Sequence, residues 1–255
     1  MAGVLEKGVI QRHEQVGPDI WQMVIQLPRT AGLARPGQFV HIRTNDESMI
    51  LRRPISIAGT DKENGTVGIL YRVVGSGTKR LSQAIKGDVI DSLGPLGTSF
   101  SMEGTHIVGI GGGVGIAPIL FMAREARPGQ MTVVIGGRNE KEVFWKDLFP
   151  RTLKKILVTT DDGSFGVRGF SVSVLPELFK QETVDRLCAC GPAVMMRTAV
   201  QMAGDAGVPA EVSLERRMAC GVGTCLGCVC DRADGKGHLK VCRDGPVFDA
   251  SEVIL

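Results

Sequence analysis

The chain has 255 residues, 43% hydrophobic and 22% charged, with a formal net charge of +3 at pH 7. That length allows one large or two small domains, and that balance excludes disorder over most of the chain. No Lys/Arg block argues for nucleic acid, no apolar run reaches the roughly 18 residues of a membrane span, and Met1 to Gln15 carries Glu6, Lys7, Arg12 and Glu14 instead of an apolar signal core, so a cytoplasmic protein that touches neither nucleic acid nor membrane is expected.

In chain order, short alternating apolar runs come first: Val4–Gln11, Ile20–Gln26, Gln38–Ile42, Arg53–Ala58, Thr66–Val73 and Val89–Leu93. Their spacing and the Gly, Pro, Asn and Asp between them predict an antiparallel barrel or sandwich, with one helix at Thr78–Ile85. From Thr105 the pattern changes. Strands are expected at Ile107–Ile110, Met131–Ile135, Lys155–Thr159 and Arg186–Ala189. Helices are expected between and after them at Ala117–Glu125, Lys141–Leu148, Val172–Phe179 and Ala193–Ala206. Alternating strands and helices predict a parallel α/β sheet. From Ser213 the chain is rich in cysteine and loops. The boundaries drawn are 1–101, 102–210 and 211–255.

Glycine is unusually frequent, 34 of 255 residues, which suggests tight turns and close backbone approach to ligands. Seven cysteines are unevenly placed, with Cys220, Cys225, Cys228, Cys230 and Cys242 close together. An odd number without a secretion signal argues against disulfides and for a metal site. Cys220-x4-Cys225-x2-Cys228 with distant Cys242 matches the plant-type [2Fe–2S] spacing, in which one loop supplies three thiolates. Gly221, Gly223 and Gly227 let that loop curl and aim N–H groups at sulfur. The competing reading is a structural zinc held by four cysteines, which commonly uses a second C-x2-C hook that is missing near Cys242. Cys230 is expected to pack nearby rather than to ligate.

Further upstream, Arg53-Pro54-Ile55-Ser56 places an Arg and a hydroxyl on one strand, able to serve a phosphate and a flavin edge, or only a structural ion pair. Leu70-Tyr71-Arg72 leads through Gly75 and Ser76 to Gly77-Thr78, a strand, a glycine turn and a helix start. Such a start exposes N–H groups that suit a pyrophosphate. Gly94-Pro95-Leu96-Gly97 reads as a structural turn. Gly111 to Gly115 (with Gly112 and Gly113 between) and Cys190-Gly191-Pro192 each join a strand to a helix. Ligands of open α/β sheets bind at such strand ends, so these two loops are expected to share a dinucleotide cleft. Cys188 and Cys190 also read as small buried hydrophobes. Asp161 to Ser164 either holds ribose or adenine or only turns the chain. Arg138 stands where it could meet a 2′-phosphate or an adenine face, which leaves NAD against NADP open.

These motifs, in this order, resemble the ferredoxin reductase-like flavoprotein superfamily over about residues 1–205. Glu215-Arg216-Arg217-Met218-Ala219-Cys220 through Cys228, closed by Val241-Cys242-Arg243-Asp244-Gly245-Pro246-Val247-Phe248, resembles more narrowly the electron transfer subunits of type B dihydroorotate dehydrogenases, and that likeness covers the whole chain. Ile55 departs from the wider superfamily, where many members carry Tyr, but not from this family. The resemblance implies a multidomain β + α/β protein: an antiparallel FAD-binding β-barrel, a parallel-sheet nicotinamide-binding α/β domain and a small C-terminal [2Fe–2S] segment. It implies FAD contacts at Arg53 to Ser56, Leu70 to Arg72, Gly77 and Thr78, and cluster ligands Cys220, Cys225, Cys228 and Cys242. It also implies a catalytic subunit carrying FMN as partner, in a two-plus-two heterotetramer, with electrons from dihydroorotate reaching NAD+ through the cluster and FAD in pyrimidine biosynthesis. No acid–base residue in this chain is expected to be essential, since hydride passes directly between rings. The rival is a reductase subunit linked to ferredoxin, sulfur or hydrogenase chemistry.

Overall fold

Alternating apolar residues build the first unit. The computed structural model describes residues 3–44 and 48–255. In it β1 (Val4–Gly17), β2 (Ile20–Gln26), β3 (Phe39–Arg43), β4 (Arg53–Asp61), β5 (Thr66–Arg72) and β6 (Val89–Leu96) close a barrel in the order β1-β2-β5-β4-β3-β6. Every neighbouring pair is antiparallel. Alternate side chains of each strand point inward, so Ile10, Met23, Ile25, Val40, Ile42, Ile57, Val67 and Ile69 fill the barrel. Burying each such side chain contributes about 1.5–3 kcal/mol. An unforeseen helix, α1 (Pro28–Leu33), covers one side and brings Ala31 into the same core. α2 (Ser76–Leu81) starts two residues before the expected helix and ends four residues short of it.

Next in the chain, β7 (Ile107–Gly112), β8 (Met131–Gly137), β9 (Lys155–Thr160), β10 (Val167–Arg168), β11 (Arg186–Cys190) and β12 (Ala210–Ser213) form a parallel sheet with α3 (Ile116–Glu125), α4 (Leu175–Gln181) and α5 (Ala193–Asp205) as its main helices. The stretch expected as a helix at Lys141–Leu148 is instead two tight 3-10 turns, Glu140–Glu142 and Phe144–Leu148. The aromatic, β-branched run Val143-Phe144-Trp145 is a poor helix former, and burial of Val143, Trp145 and Phe149 in the sheet's core decides its path. The expected helix at Val172–Phe179 begins as a 3-10 turn, Ser171–Val174, before α4.

The cysteine-rich region is not an appendage. It makes a hairpin, β13 (Val229–Asp231) with β14 (His238–Lys240), and then returns as β15 (Val247–Asp249), antiparallel to β12 at the sheet's edge. The boundary drawn at residue 210 therefore falls on the first residue of a strand that pairs with the cysteine-rich region. Cys228, Cys230, Cys242 and Phe248 share one core with Phe39 and Leu96 of the barrel and Val212 of the sheet. Thr98 fastens the junction: its N–H donates to the Gly245 carbonyl at 2.6 Å and its hydroxyl to the Val247 carbonyl at 2.7 Å. The stretch expected as a turn, Gly94 to Gly97, is instead the end of β6 and the residue after it, and it packs at this junction, for a Cβ on Gly97 would stand 2.3 Å from Pro246.

Candidate functional site

A cleft of about 240 Å³ opens where barrel, sheet and cysteine-rich region meet. Pro54, Ile55 and Ser56 of β4, Leu70, Tyr71 and Arg72 of β5, and Thr78 of α2 form one wall. Val114, Cys190, Glu215 and Met218 are among the residues facing them. Arg53 and Gly77 meet beside this wall: a Cβ on Gly77 would lie 1.9 Å from Arg53 Nε, so glycine is what lets the guanidinium rest on the turn. The Thr78 hydroxyl accepts the N–H of Val74 at 2.9 Å and of Gly75 at 3.2 Å and donates to the Gly75 carbonyl, so it closes its own turn. Tyr71 is buried, its hydroxyl is 2.8 Å from His13 Nε2, and burial pushes its pKa up.

The two glycine loops come together as expected from their positions at strand ends. Gly111 and Cys190 are partners on adjacent parallel strands. Beyond them the backbones touch: a Cβ on Gly115 would be 2.4 Å from the Cys190 carbonyl, and one on Gly191 2.9 Å from the Gly112 nitrogen. A Cβ on Gly112 would be 2.7 Å from Pro192. A second hollow of about 200 Å³ lies over Gly113 and Gly136, bounded by Arg72, Arg138, Glu142 and Trp145. Arg72 lines both spaces, so one guanidinium stands between the barrel cleft and the glycine loops. Arg138 is not free. Its Nε donates to Glu142 Oε1 at 2.7 Å, and its backbone N–H donates to Oε2 at 3.0 Å. The Arg138 guanidinium holds the Glu142 carboxyl below the usual range. In the Asp161–Ser164 loop, Asp162 accepts from the Ser164 hydroxyl at 2.6 Å, and that hydroxyl accepts the Glu140 N–H at 2.8 Å.

Glu215 opens the motif that carries the narrower resemblance, but nothing in the sequence marks it as a cleft residue. In the fold it opens onto the cleft, and the protein atoms around its carboxyl push its pKa up. Cys190 lines the same cleft. Burial, with Glu215 adding, pushes its thiol up to about 12, so it is uncharged at neutral pH.

The four candidate ligand cysteines gather as two pairs. Cys220 Sγ accepts N–H groups from Val222 at 3.5 Å and Cys225 at 3.4 Å, and Cys225 Sγ accepts the Gly227 N–H at 3.5 Å. Cys228 Sγ accepts the Cys242 N–H at 3.4 Å. Partial burial raises the Cys220 thiol's pKa, but these donors outweigh it and bring it down to about 6. Cys242 goes the other way, to about 12, through burial and then the neighbouring Cys228. Among the described residues, no group of three or more His, Cys, Asp or Glu side chains closes on a point that would hold one metal ion. A two-iron cluster needs two thiolates at each of two points. The N–H groups aimed at sulfur and the paired thiols fit a [2Fe–2S] cluster. Cys230 is buried in β13 and shares its core with Cys228 and Cys242.

A flavin-type barrel, a dinucleotide-type sheet and a two-pair thiolate site define an iron–sulfur flavoprotein of ferredoxin reductase-like architecture. Residues 7–100 match the oxidoreductase FAD-binding domain, and residues 215–254 match the iron-sulfur cluster binding domain of dihydroorotate dehydrogenase B. The chain is 36% identical to the dihydroorotate dehydrogenase B (NAD(+)) electron transfer subunit of Shouchella clausii, covering 96% of both chains. It is 39% identical to the subunit of the same name from Listeria innocua, covering 98% of both. The chain belongs to this family of electron transfer subunits. A solved NADH-dependent reduced ferredoxin-NADP oxidoreductase superposes with a TM-score of 0.87 at 34% identity, covering 97% of this chain and 89% of that one. A ferredoxin NADP+ reductase from Neisseria gonorrhoeae, at 17% identity and a TM-score of 0.62, shares the fold.

Proposed function

We propose that this chain carries electrons from the FMN of a dihydroorotate-oxidising catalytic subunit to NAD+, in a complex of two copies of each chain that serves pyrimidine biosynthesis. The observation that carries this reading is the junction itself. The barrel cleft, the paired glycine loops and the paired cysteines adjoin one another, so a flavin held there stands between a nicotinamide and an iron–sulfur cluster.

FAD supplies the exchange that neither neighbour can, taking hydride on one side and single electrons on the other. The residues do the rest. Arg53 at Gly77 and Arg72 at Gly113 present guanidinium groups to phosphates. Pro54 to Ser56 and Leu70 to Tyr71 wall the ring. Gly112, Gly113 and Gly115 with Cys190 to Pro192 admit the dinucleotide backbone. Cys190 stays a neutral thiol, and Glu215 opens onto the same cleft. Cys220, Cys225, Cys228 and Cys242 are the proposed cluster ligands.

The test is to purify the tagged chain anaerobically from its host and identify what accompanies it in equal amount. A co-purifying FMN dehydrogenase that reduces NAD+ with dihydroorotate and releases orotate is the expected result. The likeness to the ferredoxin-NADP oxidoreductase favours a second reading, a bifurcating or ferredoxin-linked complex. A partner of that kind, without orotate formation, would overturn the pyrimidine assignment.

A further inference from the structure

His41 has an unusual surrounding. His13 and His106 have partners at both ring nitrogens, and His238 is bonded through Nδ1. His41 is fully buried, with neither Nδ1 nor Nε2 hydrogen-bonded. The Arg52 carbonyl is close enough to influence the ring but is not in hydrogen-bond geometry with it. Burial, with Arg52 and Arg53 adding, pulls the pKa down to about 4, so the ring is neutral. A neutral imidazole still owns one N–H and one lone pair. Sealing either from water unpaired costs about 1–3 kcal/mol, and native folds rarely leave such groups unmatched.

What covers the ring is the cysteine loop. Val40 and Ile42 fill the barrel, so by strand alternation Phe39 and His41 face outward. Phe39 enters the core that holds Cys228 and Cys242. His41 meets Gly221, the residue after Cys220: a Cβ there would lie 2.4 Å from His41 Nδ1 and 3.0 Å from Cε1. Gly221 has φ +71°, so glycine is needed for both space and conformation. The same loop already aims the N–H groups of Val222 and Cys225 at the Cys220 sulfur.

We infer that His41 is a positioning residue for the iron–sulfur cluster: its ring N–H is the barrel's hydrogen bond to the sulfur-bearing side of the Gly221 loop, through which the FAD-binding barrel tunes the cluster's reduction potential. The inference rests on the reading that this loop holds a [2Fe–2S] cluster. A donor to sulfur stabilises the more negative, reduced cluster, so losing it lowers the potential.

The test labels histidine with 15N in the full chain, reduces it with dithionite and records pulsed EPR of the cluster. The expected result is a 15N-histidine coupling that disappears in His41→Gln. An EPR-monitored titration should then find the variant's midpoint potential altered, and lower in His41→Phe, with iron and FAD content retained. Should His41→Phe lose its cluster, the wild-type coupling and the Gln variant still decide. A cluster signal without 15N coupling, or coupling with an unchanged midpoint in the Gln variant, overturns the inference. No cluster signal at all would instead overturn the cluster reading, and the inference with it.

Discussion

His13 and Tyr71 are joined in only one proton arrangement. His13 Nδ1 lies 2.7 Å from the Ala84 carbonyl, which can only accept, so Nδ1 carries the hydrogen. Nε2 therefore accepts from the Tyr71 hydroxyl at 2.8 Å. The tyrosine's polar end is thus pinned inside the barrel and its ring is left to wall the flavin cleft. His13→Leu strands that hydroxyl, at a cost of about 1–3 kcal/mol. Binding of FAD to the apoprotein, followed by flavin fluorescence, should weaken by about tenfold, with a lower Tm. Unchanged FAD affinity would show that Tyr71 needs no anchor.

Acid should destabilise the fold through its buried histidines. Burial lowers the His13 pKa, and that of His41 falls from 6.5 to about 4. Between those values the unfolded chain binds a proton that the folded chain refuses. The stability contributed by the neutral rings is therefore complete above pH 6.5 and declines as pH falls toward 4. Thermal unfolding from pH 7 to 4.5 should show this decline, and His41→Gln should flatten it. A variant with the wild-type slope would remove His41 from the account.

The cysteine pairs make a substitution pattern. Cys225→Ser should lose the normal cluster and electron transfer to the partner while leaving FAD-dependent NADH oxidation by artificial dyes. Cys230→Ala should keep full iron content and lose only about 1 kcal/mol of packing. Iron analysis and EPR of both variants check this. A cluster lost from Cys230→Ala but kept in Cys228→Ser would exchange their roles.

Arg138 and Glu142 bear on the choice of nucleotide. With Glu142 ionised against it, the guanidinium is already neutralised, and a 2′-phosphate arriving in the Arg138 hollow would face a carboxylate. Glu142→Gln should raise kcat/KM for NADPH relative to NADH by about tenfold, equivalent to about 1.4 kcal/mol. Steady-state dye reduction measures the ratio, and an unchanged ratio would place selection elsewhere.

Gly115 is where two loops touch. Gly115→Ala forces its new methyl against the Cys190 carbonyl, so the loop after β7 must move, at about 1–3 kcal/mol. NADH oxidation should fall at least tenfold while the bound-FAD spectrum is retained. Normal NADH kinetics would show that the contact is not needed for binding.

Much of this site is legible along the chain because its signals are local. The spacing of Cys220, Cys225 and Cys228 belongs to one loop. The alternation that makes β2, β4 and β5 is carried by neighbouring residues, and the glycine runs at Gly111 to Gly115 and Gly191 lie where strands end. Those features determine the cofactor classes and the order of barrel, sheet and cluster region. Contacts between distant segments leave no such trace, because nothing in the periodicity of either partner encodes the other. The return of β15 to β12, the placing of Glu215 opposite β4 and β5, and the seating of Gly221 on His41 follow from burying three apolar surfaces in one core. At Val143 to Phe149, burial in the sheet's core settled the path of a run that is itself a poor helix former. The chain's local chemistry therefore determined what this protein binds, while only the tertiary structure decided how those groups share one junction, since a shared core forms from whichever distant faces exclude water together.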